Sequence, residues 1–286
     1  MRRAKEHFFT TLCPLKEHFF TTLCSSIVTL TTDFGACDPF VGAMKGVMLG
    51  IHSELRIVDI AHGIPPHDIV EAAFVLRNSC PYFPAGTIHV AVVDPGVGSE
   101  RRAIILETER YRFVGPDNGL FGWVCEMETV RRVVAITNPD LMRPEVSATF
   151  HGRDVFAPAA AYLAKGVAVS AFGPEVSDWV RLELPKPKIE GARLFGRVVR
   201  VDRFGNAITN ISEEAFRAFA GDGAFEIGAG AVRLRKIVRS YTSVSEGESL
   251  ALFGSSDYLE VSVNGGPAST VLGLKKGDAV WVLRKP

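Results

Sequence analysis

The segment VDPGVGSERR at 93–102 combines charged side chains and glycines in a pattern that suits a ligand-binding loop. Asp94 follows a predicted strand and lies seven residues before Arg101. The two glycines between them allow the backbone to approach a ligand closely. The segment lacks the Lys-Ser/Thr ending and the GxGxxG spacing of nucleotide-phosphate loops. Asp94 and Arg101 are therefore candidate site residues, and an exposed ion pair worth only ~0–1 kcal/mol is the alternative.

Two further segments place polar side chains at junctions between a strand and a helix. His151, in FHGRD at 150–154, is the one histidine surrounded by glycine, arginine and aspartate rather than by apolar neighbours. It is a candidate for proton transfer, although a lone histidine is more often structural. Asp33, in TTDFG at 31–35, follows a strand whose carboxyl end would face the crevice of an open α/β sheet. A simple turn cap is the alternative for Asp33.

The second half of the chain has three polar loops between predicted strands, at 202–210, 253–258 and 263–267. Taken singly, each is typical of a hairpin turn. Asn206 and Asn264 nevertheless supply the donor and acceptor that reading a purine edge requires. Phe204 and Tyr241 have flat faces on which a base would stack. GPDNG at 115–119 is a turn by composition and by itself predicts only a loop.

Composition excludes several classes of function. The 286 residues include 32 basic and 32 acidic side chains, so the net positive charge of a nucleic-acid or membrane-surface binder is missing. No apolar run approaches the ~18–20 residues that cross a bilayer. The histidines and cysteines form no HxxxH and no CxxC, which argues against a metal site. The cysteine pattern favours reduced thiols in a cytoplasmic protein.

Between residues 27 and 184, short apolar runs alternate with amphipathic stretches. This alternation predicts an α/β sandwich domain with a mostly parallel sheet covered by helices. The predicted strands are 27–32, 55–60, 86–93 and 130–136, with a hairpin at 103–107 and 112–114 and helices at 39–51, 68–79 and 155–164. Asp38 is expected to cap the first helix, with Pro39 at its first position.

PKPK at 185–188 predicts a linker, because two prolines forbid regular pairing there. From 191 to 286, short strands punctuated by glycines predict a smaller all-β, barrel-like domain. These strands are expected at 196–201, 231–237, 249–253, 258–263 and 279–283, with one helix at 213–220.

Residues 1–26 differ from the rest, because KEHFFTTLC occurs at both 5–13 and 16–24. Two nine-residue copies are too short to be stacking units of a repeat architecture. No hydrophobic core precedes a small-residue cleavage site, which argues against a targeting peptide. We expect a disordered leader that takes no part in the chemistry.

Five motifs in this order resemble those of the S-adenosyl-L-methionine (SAM) hydroxide adenosyltransferases, or SAM hydrolases, which are related to fluorinating and chlorinating enzymes. They are TLTTDFG at 29–35, VVDPGVGSERR at 92–102, VGPDNGL at 114–120, TFHGRDVFAP at 149–158 and DRFGNAITN at 202–210. The resemblance covers about residues 27–286. It implies that hydroxide displaces methionine from the ribose C5′ of SAM, giving adenosine and L-methionine. SAM is then the substrate, and no cofactor is implied.

The water-handling set of such enzymes resembles an Asp-Arg-His trio, which falls here on Asp94, Arg101 and His151. In the halogenating relatives the position of Asp94 is uncharged and that of His151 is not histidine, so this chain resembles the hydrolytic branch. The sulfonium already carries a good, neutral leaving group, so the barrier lies in the weak nucleophile. The sequence leaves open which of Asp94 and His151 accepts the proton.

The same resemblance implies substrate-binding roles. Asp33 would bind the ribose diol, Asp202 the methionine ammonium, and Ser255 or Ser256 its carboxylate. Adenine would lie between the rings of Phe204 and Tyr241, with Asn206 at its edge. Asn264 is kept as a further candidate contact because of its donor and acceptor groups.

Family members are trimers whose sites form between the first domain of one subunit and the second domain of the next, which implies a homotrimer here. A single chain folded back on itself is the alternative. Two positions depart from the family pattern, because Asp257 replaces a usual glycine and Pro267 a usual asparagine. His67 occupies the place of a halogenase tryptophan over the ribose, and its role stays open.

Two other functions compete with hydrolysis. A halide-using homologue would form 5′-haloadenosine, but the Asp94 carboxylate would repel an incoming anion. A non-catalytic SAM or adenosine sensor would bind without turnover, and an intact Asp-Arg-His trio is difficult to explain in such a protein.

Overall fold

The computed structural model describes residues 26–183 and 185–285. The predicted leader at 1–26 lies outside this described part, apart from Ser26. Among the helices that are described, none combines the length and the apolar character that a membrane crossing needs.

A six-stranded mixed sheet forms the centre of the amino-terminal region. Its strands are β1 (Ile27–Thr32), β2 (Arg56–Ala61), β3 (Ile88–Val92), β4 (Ala103–Thr108), β5 (Arg112–Pro116) and β6 (Val130–Ala135). They lie in the order β2-β1-β3-β5-β4-β6, with β2, β1, β3 and β5 parallel and β4 antiparallel to both neighbours. Because β1 and β3 are adjacent and parallel, the segments that follow them leave the sheet at the same edge.

Three helices cover the two faces of this sheet: α1 (Phe40–Ile51), α2 (Ile69–Ser79) and α3 (Ala157–Ala164). α1 and α3 share one apolar core with alternate strand residues, and α2 belongs to the core on the opposite face. In β3, for example, Val90 is buried in the first core and Ala91 in the second. Burial on both faces explains the continuous apolar runs that predicted a parallel sheet.

The predicted cap of α1 is wrong. Pro39, not Asp38, occupies the N-cap position, and no side chain caps this helix. The reason is that the Pro39 carbonyl already accepts the first helical hydrogen bond, from the Ala43 amide at 2.8 Å. α2 does begin with a side-chain cap, since Asp68 accepts a hydrogen bond from the Glu71 amide at 3.0 Å.

An antiparallel sheet makes up the carboxyl-terminal region. Its strands are β7 (Lys188–Glu190), β8 (Arg193–Val201), β9 (Ala207–Ser212), β10 (Phe225–Ala229), β11 (Val232–Leu234), β12 (Ser249–Phe253), β13 (Tyr258–Val263) and β14 (Ala279–Arg284). They lie in the order β11-β10-β14-β8-β9-β13-β12, with β7 beside β8. The amide of Val238, just beyond β11, donates to the Ala251 carbonyl in β12 at 2.9 Å, so the sheet is nearly closed into a barrel. Helices α4 (Glu213–Ala220) and α5 (Ala268–Val271) complete this region.

The predicted fold class, an α/β sandwich followed by an all-β barrel-like unit, is confirmed. Three strands of the barrel sheet were not predicted, β7, β9 and β10. β9 contains Thr209 and Asn210, which suggest a polar loop, yet both are buried. The Asn210 side chain accepts a hydrogen bond from the Arg197 amide at 2.7 Å. This bond offsets the free-energy cost of burying the Asn210 side chain. Lys188, placed in the predicted linker, begins the edge strand β7.

Helix α2 contacts the barrel as well as its own sheet. Phe74 packs against Tyr258 with 5.9 Å between ring centroids. Glu71 pairs with Arg200 at 2.9 Å, and the helix cap Asp68 pairs with the Lys276 ammonium. α2 therefore forms part of the contact between the two sheets within one chain.

Candidate active site

The loop after β3 brings Asp94 and Arg101 into direct contact. Arg101 Nε donates to Asp94 Oδ1 at 2.8 Å, and Arg101 Nη2 donates to the other carboxylate oxygen. The two side chains are only 6% and 10% exposed, so this is a buried bidentate pair rather than the surface pair considered as an alternative. Burying two charges is costly, so stability gives little reason to keep such a pair.

His151 completes a continuous hydrogen-bonded chain. It precedes a π-helical turn at Gly152–Phe156, which leads into α3. Its Nδ1 lies 2.8 Å from Arg101 Nη2, so the guanidinium bridges the carboxylate and the imidazole. The predicted convergence of Asp94, Arg101 and His151 is therefore present in the structure.

Gly98 explains how the two loops approach each other. It has a left-handed backbone with φ of 76°, and a Cβ atom there would lie 2.4 Å from the Ala148 carbonyl oxygen. The loop that carries Asp94 thus touches the segment that leads to His151, and only glycine fits at the contact.

The hydrogen bond from Arg101 fixes the tautomer of His151. A guanidinium has only donors, so Nδ1 must be the acceptor and a neutral ring carries its proton on Nε2. Burial, and then the neighbouring Arg101 charge, lower the pKa of His151 below its ordinary value of 6.5. The ring is therefore neutral at pH 7, with Nε2 as a hydrogen-bond donor.

Asp33 lies in the same cavity as Asp94 and His151. The cavity has a volume of about 360 Å³, and its lining also includes His67. The His67 amide donates to Asp33 Oδ2 at 2.9 Å, and His67 has a left-handed backbone with φ of 67°. This conformation is uncommon for a residue with a side chain, so the His67 backbone is strained where it contacts Asp33.

Three aromatic rings form an apolar wall of this cavity. Phe34, Phe40 and Phe150 lie with 5.2–5.9 Å between ring centroids, at tilted or edge-on angles. Such a wall beside His151 lowers the local polarity, which strengthens electrostatic interactions inside the cavity.

A second cavity, of about 750 Å³, lies at the barrel. Its lining includes six of the seven predicted barrel contacts, Asp202, Phe204, Asn206, Tyr241, Ser255 and Ser256. Asn264 is not among the residues that line it. Its side-chain amide instead donates to the Val244 carbonyl at 2.9 Å and supports a turn.

The Asp202 carboxylate organises the loop after β8. Its Oδ1 accepts from the amides of Phe204 and Asn206, at 2.9 and 2.8 Å. Its Oδ2 accepts from the Asn206 side chain at 3.0 Å. The loop holds the Phe204 ring out from the surface, with 78% of the residue exposed in the single chain.

Glu260 is a buried carboxylate in the barrel cavity that sequence reasoning missed. Its Oε1 accepts from the Tyr241 hydroxyl at 2.7 Å and from the Ser262 hydroxyl at 2.8 Å. Burial, and then this carboxylate, raise the pKa of Tyr241, so its phenol stays protonated. An acidic residue inside the apolar strand β13 was the available signal.

Among the described residues, the two cavities share no lining residue. One chain therefore gathers the Asp94–Arg101–His151 trio and Asp33 in one place and the barrel contacts in another. Within 26–183 and 185–285, no cluster of His, Cys, Asp or Glu is arranged to hold a metal ion.

Comparison with known proteins matches the two regions of the chain to the two domains of one protein family. The family model for the SAM hydroxide adenosyltransferase N-terminal domain matches residues 28–173, and the model for the C-terminal domain matches residues 196–281. A protein of Thermus thermophilus named (R)-S-adenosyl-L-methionine hydrolase is 42% identical, covering 90% of this chain and 99% of its own.

More distant relatives include a protein of Nocardia brasiliensis named fluorinase, which is 27% identical over 90% of this chain and 96% of its own. A crystal structure of an uncharacterized conserved protein from Thermotoga maritima superposes with a TM-score of 0.84 at 35% identity, covering 90% of this chain and 100% of its own.

Proposed function

Because the chain belongs to the SAM hydroxide adenosyltransferase family, we propose that it hydrolyses SAM at ribose C5′ and releases adenosine and L-methionine. The single observation that carries this proposal is the hydrogen-bonded chain of Asp94, Arg101 and His151. The relatives' name specifies the (R) epimer at sulfur, and we propose the same preference here.

In the proposed reaction a water oxygen attacks C5′ in line with the sulfur. The bond from oxygen to C5′ forms, the bond from C5′ to sulfur breaks, and its electron pair leaves with methionine as a neutral thioether. The departing side needs no acid, so the protein's task is to generate and aim the nucleophile. Holding the oxygen ~3–3.5 Å from C5′ supplies the orientation part of the rate.

Asp94 is the proposed acceptor of the water proton. Each of its oxygens accepts from Arg101, and a carboxylate oxygen has a second lone pair for a further proton donor. His151 does not compete for this proton, because Nδ1 is bound to Arg101 and Nε2 already carries a hydrogen. Its Nε2–H can instead orient the water as a donor.

Arg101 is the proposed electrostatic stabiliser of the developing hydroxide. Four of its five N–H groups donate to Asp94, His151 and the Arg102 carbonyl within the described chain. The fifth remains for the attacking oxygen. Because a guanidinium stays protonated, it stabilises negative charge without acting as a base.

The substrate contacts stay as the resemblance implies them. Asp33 would bind the ribose hydroxyls, Asp202 the ammonium of methionine and Ser255 or Ser256 its carboxylate, with adenine between Phe204 and Tyr241. No cofactor enters this scheme, because the sulfonium is already activated. We place the reaction in the cytoplasm.

We propose that the working unit is a homotrimer in which the Asp94 cavity of one subunit faces the barrel cavity of the next. The separation of the two cavities within one chain supports this arrangement over a chain folded back on itself.

Incubation with SAM in halide-free buffer tests the reaction. We expect adenosine and methionine in equal amounts, faster from the (R) than from the (S) epimer, and no 5′-chloroadenosine when chloride is added. Chromatography resolves these products. A haloadenosine product would favour the halide-using alternative, and SAM binding by calorimetry without any product would favour a sensor.

Complementation tests the shared site. Asp94→Asn and Asp202→Ala chains, each with a different tag, are expected to be nearly inactive alone. Co-expressed, they would form mixed trimers in which one of the three interfaces, about a third, combines two intact halves. Activity in doubly tagged material is the measurement, with Asp94→Asn and His151→Ala as the control pair, since both changes affect the same half. No recovery in the first pair would place the whole site within one chain.

A further inference from the structure

The turn at 115–119, which composition predicts only as a loop, contacts both ends of the segment that carries Asp94 and Arg101. β5 lies beside β3, and it delivers the turn to the sheet edge where the Asp94 loop begins. β4, which begins directly after that loop, pairs with β5 on its other side. The turn is therefore flanked by the start and the end of the loop.

We propose that Asp117 and Asn118 are positioning residues that clamp the two ends of the 93–102 loop and so hold Asp94 and Arg101 in register with His151. This inference rests on the proposed function. It assigns a role to side chains that touch neither the cavities nor the reacting atoms.

Asn118 holds the beginning of the loop. Its Nδ2 donates to the Val93 carbonyl at 2.8 Å, one residue before Asp94. Its Oδ1 accepts from the Leu120 amide at 3.3 Å, which sets the orientation of the side-chain amide. β5 and β3 approach closely here, as shown by the 2.3 Å that would separate a Cβ atom on Gly115 from the Ala91 carbonyl oxygen.

Asp117 holds the end of the loop through Arg102, the neighbour of Arg101. The Asp117 amide donates to the Arg102 carbonyl at 2.9 Å, and the carboxylate accepts from Arg102 Nε at 2.8 Å. The other Asp117 oxygen accepts from the Val180 amide at 2.8 Å. The Asp117 side chain is only 2% exposed and that of Arg102 is 35% exposed, so the carboxylate end of the contact is buried. Arg102 is anchored further by Asp178, at 2.6 Å.

The two anchors matter because the trio depends on a loop rather than on a strand or helix. Arg101 must reach Asp94 and His151 at once, and a displacement of about 1 Å in such a geometry can cost roughly 10²-fold in rate. The clamp contacts the neighbours of Asp94 and Arg101, which would prepare the nucleophile, and within the described chain it hydrogen-bonds to no residue that lines the barrel cavity. Its loss is therefore expected to lower kcat and to leave the KM for SAM almost unchanged.

Asn118→Leu and Asp117→Asn test the clamp at its two ends. Glu107→Gln is the matched control, because Glu107 is also a little-exposed carboxylate beside an arginine, Arg132 at 3.0 Å, but in the β4–β6 pair. The measurements are kcat and KM for SAM, the thermal midpoint, and the His151 pKa by NMR titration, with the resonance assigned from a His151→Asn sample.

We expect each clamp variant to lower kcat by about tenfold or more with KM within about threefold, since only transition-state interactions are lost. The His151 pKa should rise toward its ordinary value as Arg101 moves away. The Glu107→Gln control should change neither kcat nor the His151 pKa. If one variant fails to fold, the other end still tests the clamp.

The NMR readout separates this inference from the proposed function. A wild-type chain that leaves SAM intact, with a raised His151 pKa in the clamp variants, would refute hydrolysis and support the clamp. A wild-type chain that hydrolyses SAM, with clamp variants that match the control in kcat and in His151 pKa, would overturn the clamp.

Discussion

Replacing Asp94 with asparagine is expected to lower kcat for SAM hydrolysis by about 10²–10⁴-fold, the usual contribution of a positioned proton acceptor. The amide oxygen can still accept one of the two Arg101 hydrogen bonds, the amide nitrogen cannot accept the other, and the base is lost. SAM binding should persist, because six of the eight predicted SAM contacts line the barrel cavity, away from Asp94. Steady-state kinetics and calorimetry measure the two effects separately.

His151→Ala provides the comparison for this experiment. We expect a loss of at least about tenfold, because an orienting donor to the water disappears, but a smaller loss than in Asp94→Asn. The tautomer imposed by Arg101 is the reason for this ranking. A larger loss in His151→Ala would assign the proton to the imidazole, and unchanged rates in both variants would remove the trio from the mechanism.

The second large effect concerns stability in acid, and its origin is His89 in the centre of β3. The ring is fully buried, accepts or donates one hydrogen bond with the Thr29 hydroxyl at 2.8 Å, and stacks on Phe113. Burial lowers the pKa of His89 from 6.5 to about 3. In the unfolded chain this residue therefore binds a proton below about pH 6.5. In the folded chain it does so only below about pH 3.

Since the unfolded state binds more protons in that window, stability rises with pH there and is lost as the pH falls. Between pH 7 and pH 4.5 the loss from this one residue is about 3 kcal/mol, at about 1.4 kcal/mol per pH unit. Urea unfolding at the two pH values measures it. A His89→Phe chain, which keeps an aromatic ring among aromatic neighbours, should lose less stability by that amount. Equal losses in the two chains would show that folded His89 binds its proton readily.

Part of the candidate site could be predicted because adjacent parallel strands end at the same sheet edge. Asp33 follows β1 and Asp94 follows β3, so strand order alone brings them together once the α/β pattern is recognised. His151 follows a long irregular segment and lies directly before a π-helical turn, and no local pattern encodes that path. Only the resemblance to a family connected it with Asp94 and Arg101.

Other features depend on tertiary contacts that a sequence pattern does not contain. The 115–119 turn looks like any Asn-Gly loop, and its contacts arise only because β5 lies between β3 and β4. The strand β9 was missed because its buried Thr and Asn residues have hydrogen-bond partners that become visible only in the folded barrel. Asn264 has the groups to read a base, but a nearby turn already uses its amide.

Under the proposed function, the two cavities of one chain would have different roles. Groups suited to preparing an attacking species lie beside the first sheet, and most groups suited to recognising the attacked molecule, Asp33 excepted, lie on the barrel. Each set can therefore accumulate substitutions without disturbing the other. A descendant could change its nucleophile and keep its ligand recognition. Proteins named hydrolase and fluorinase could have diverged from a common ancestor in this way.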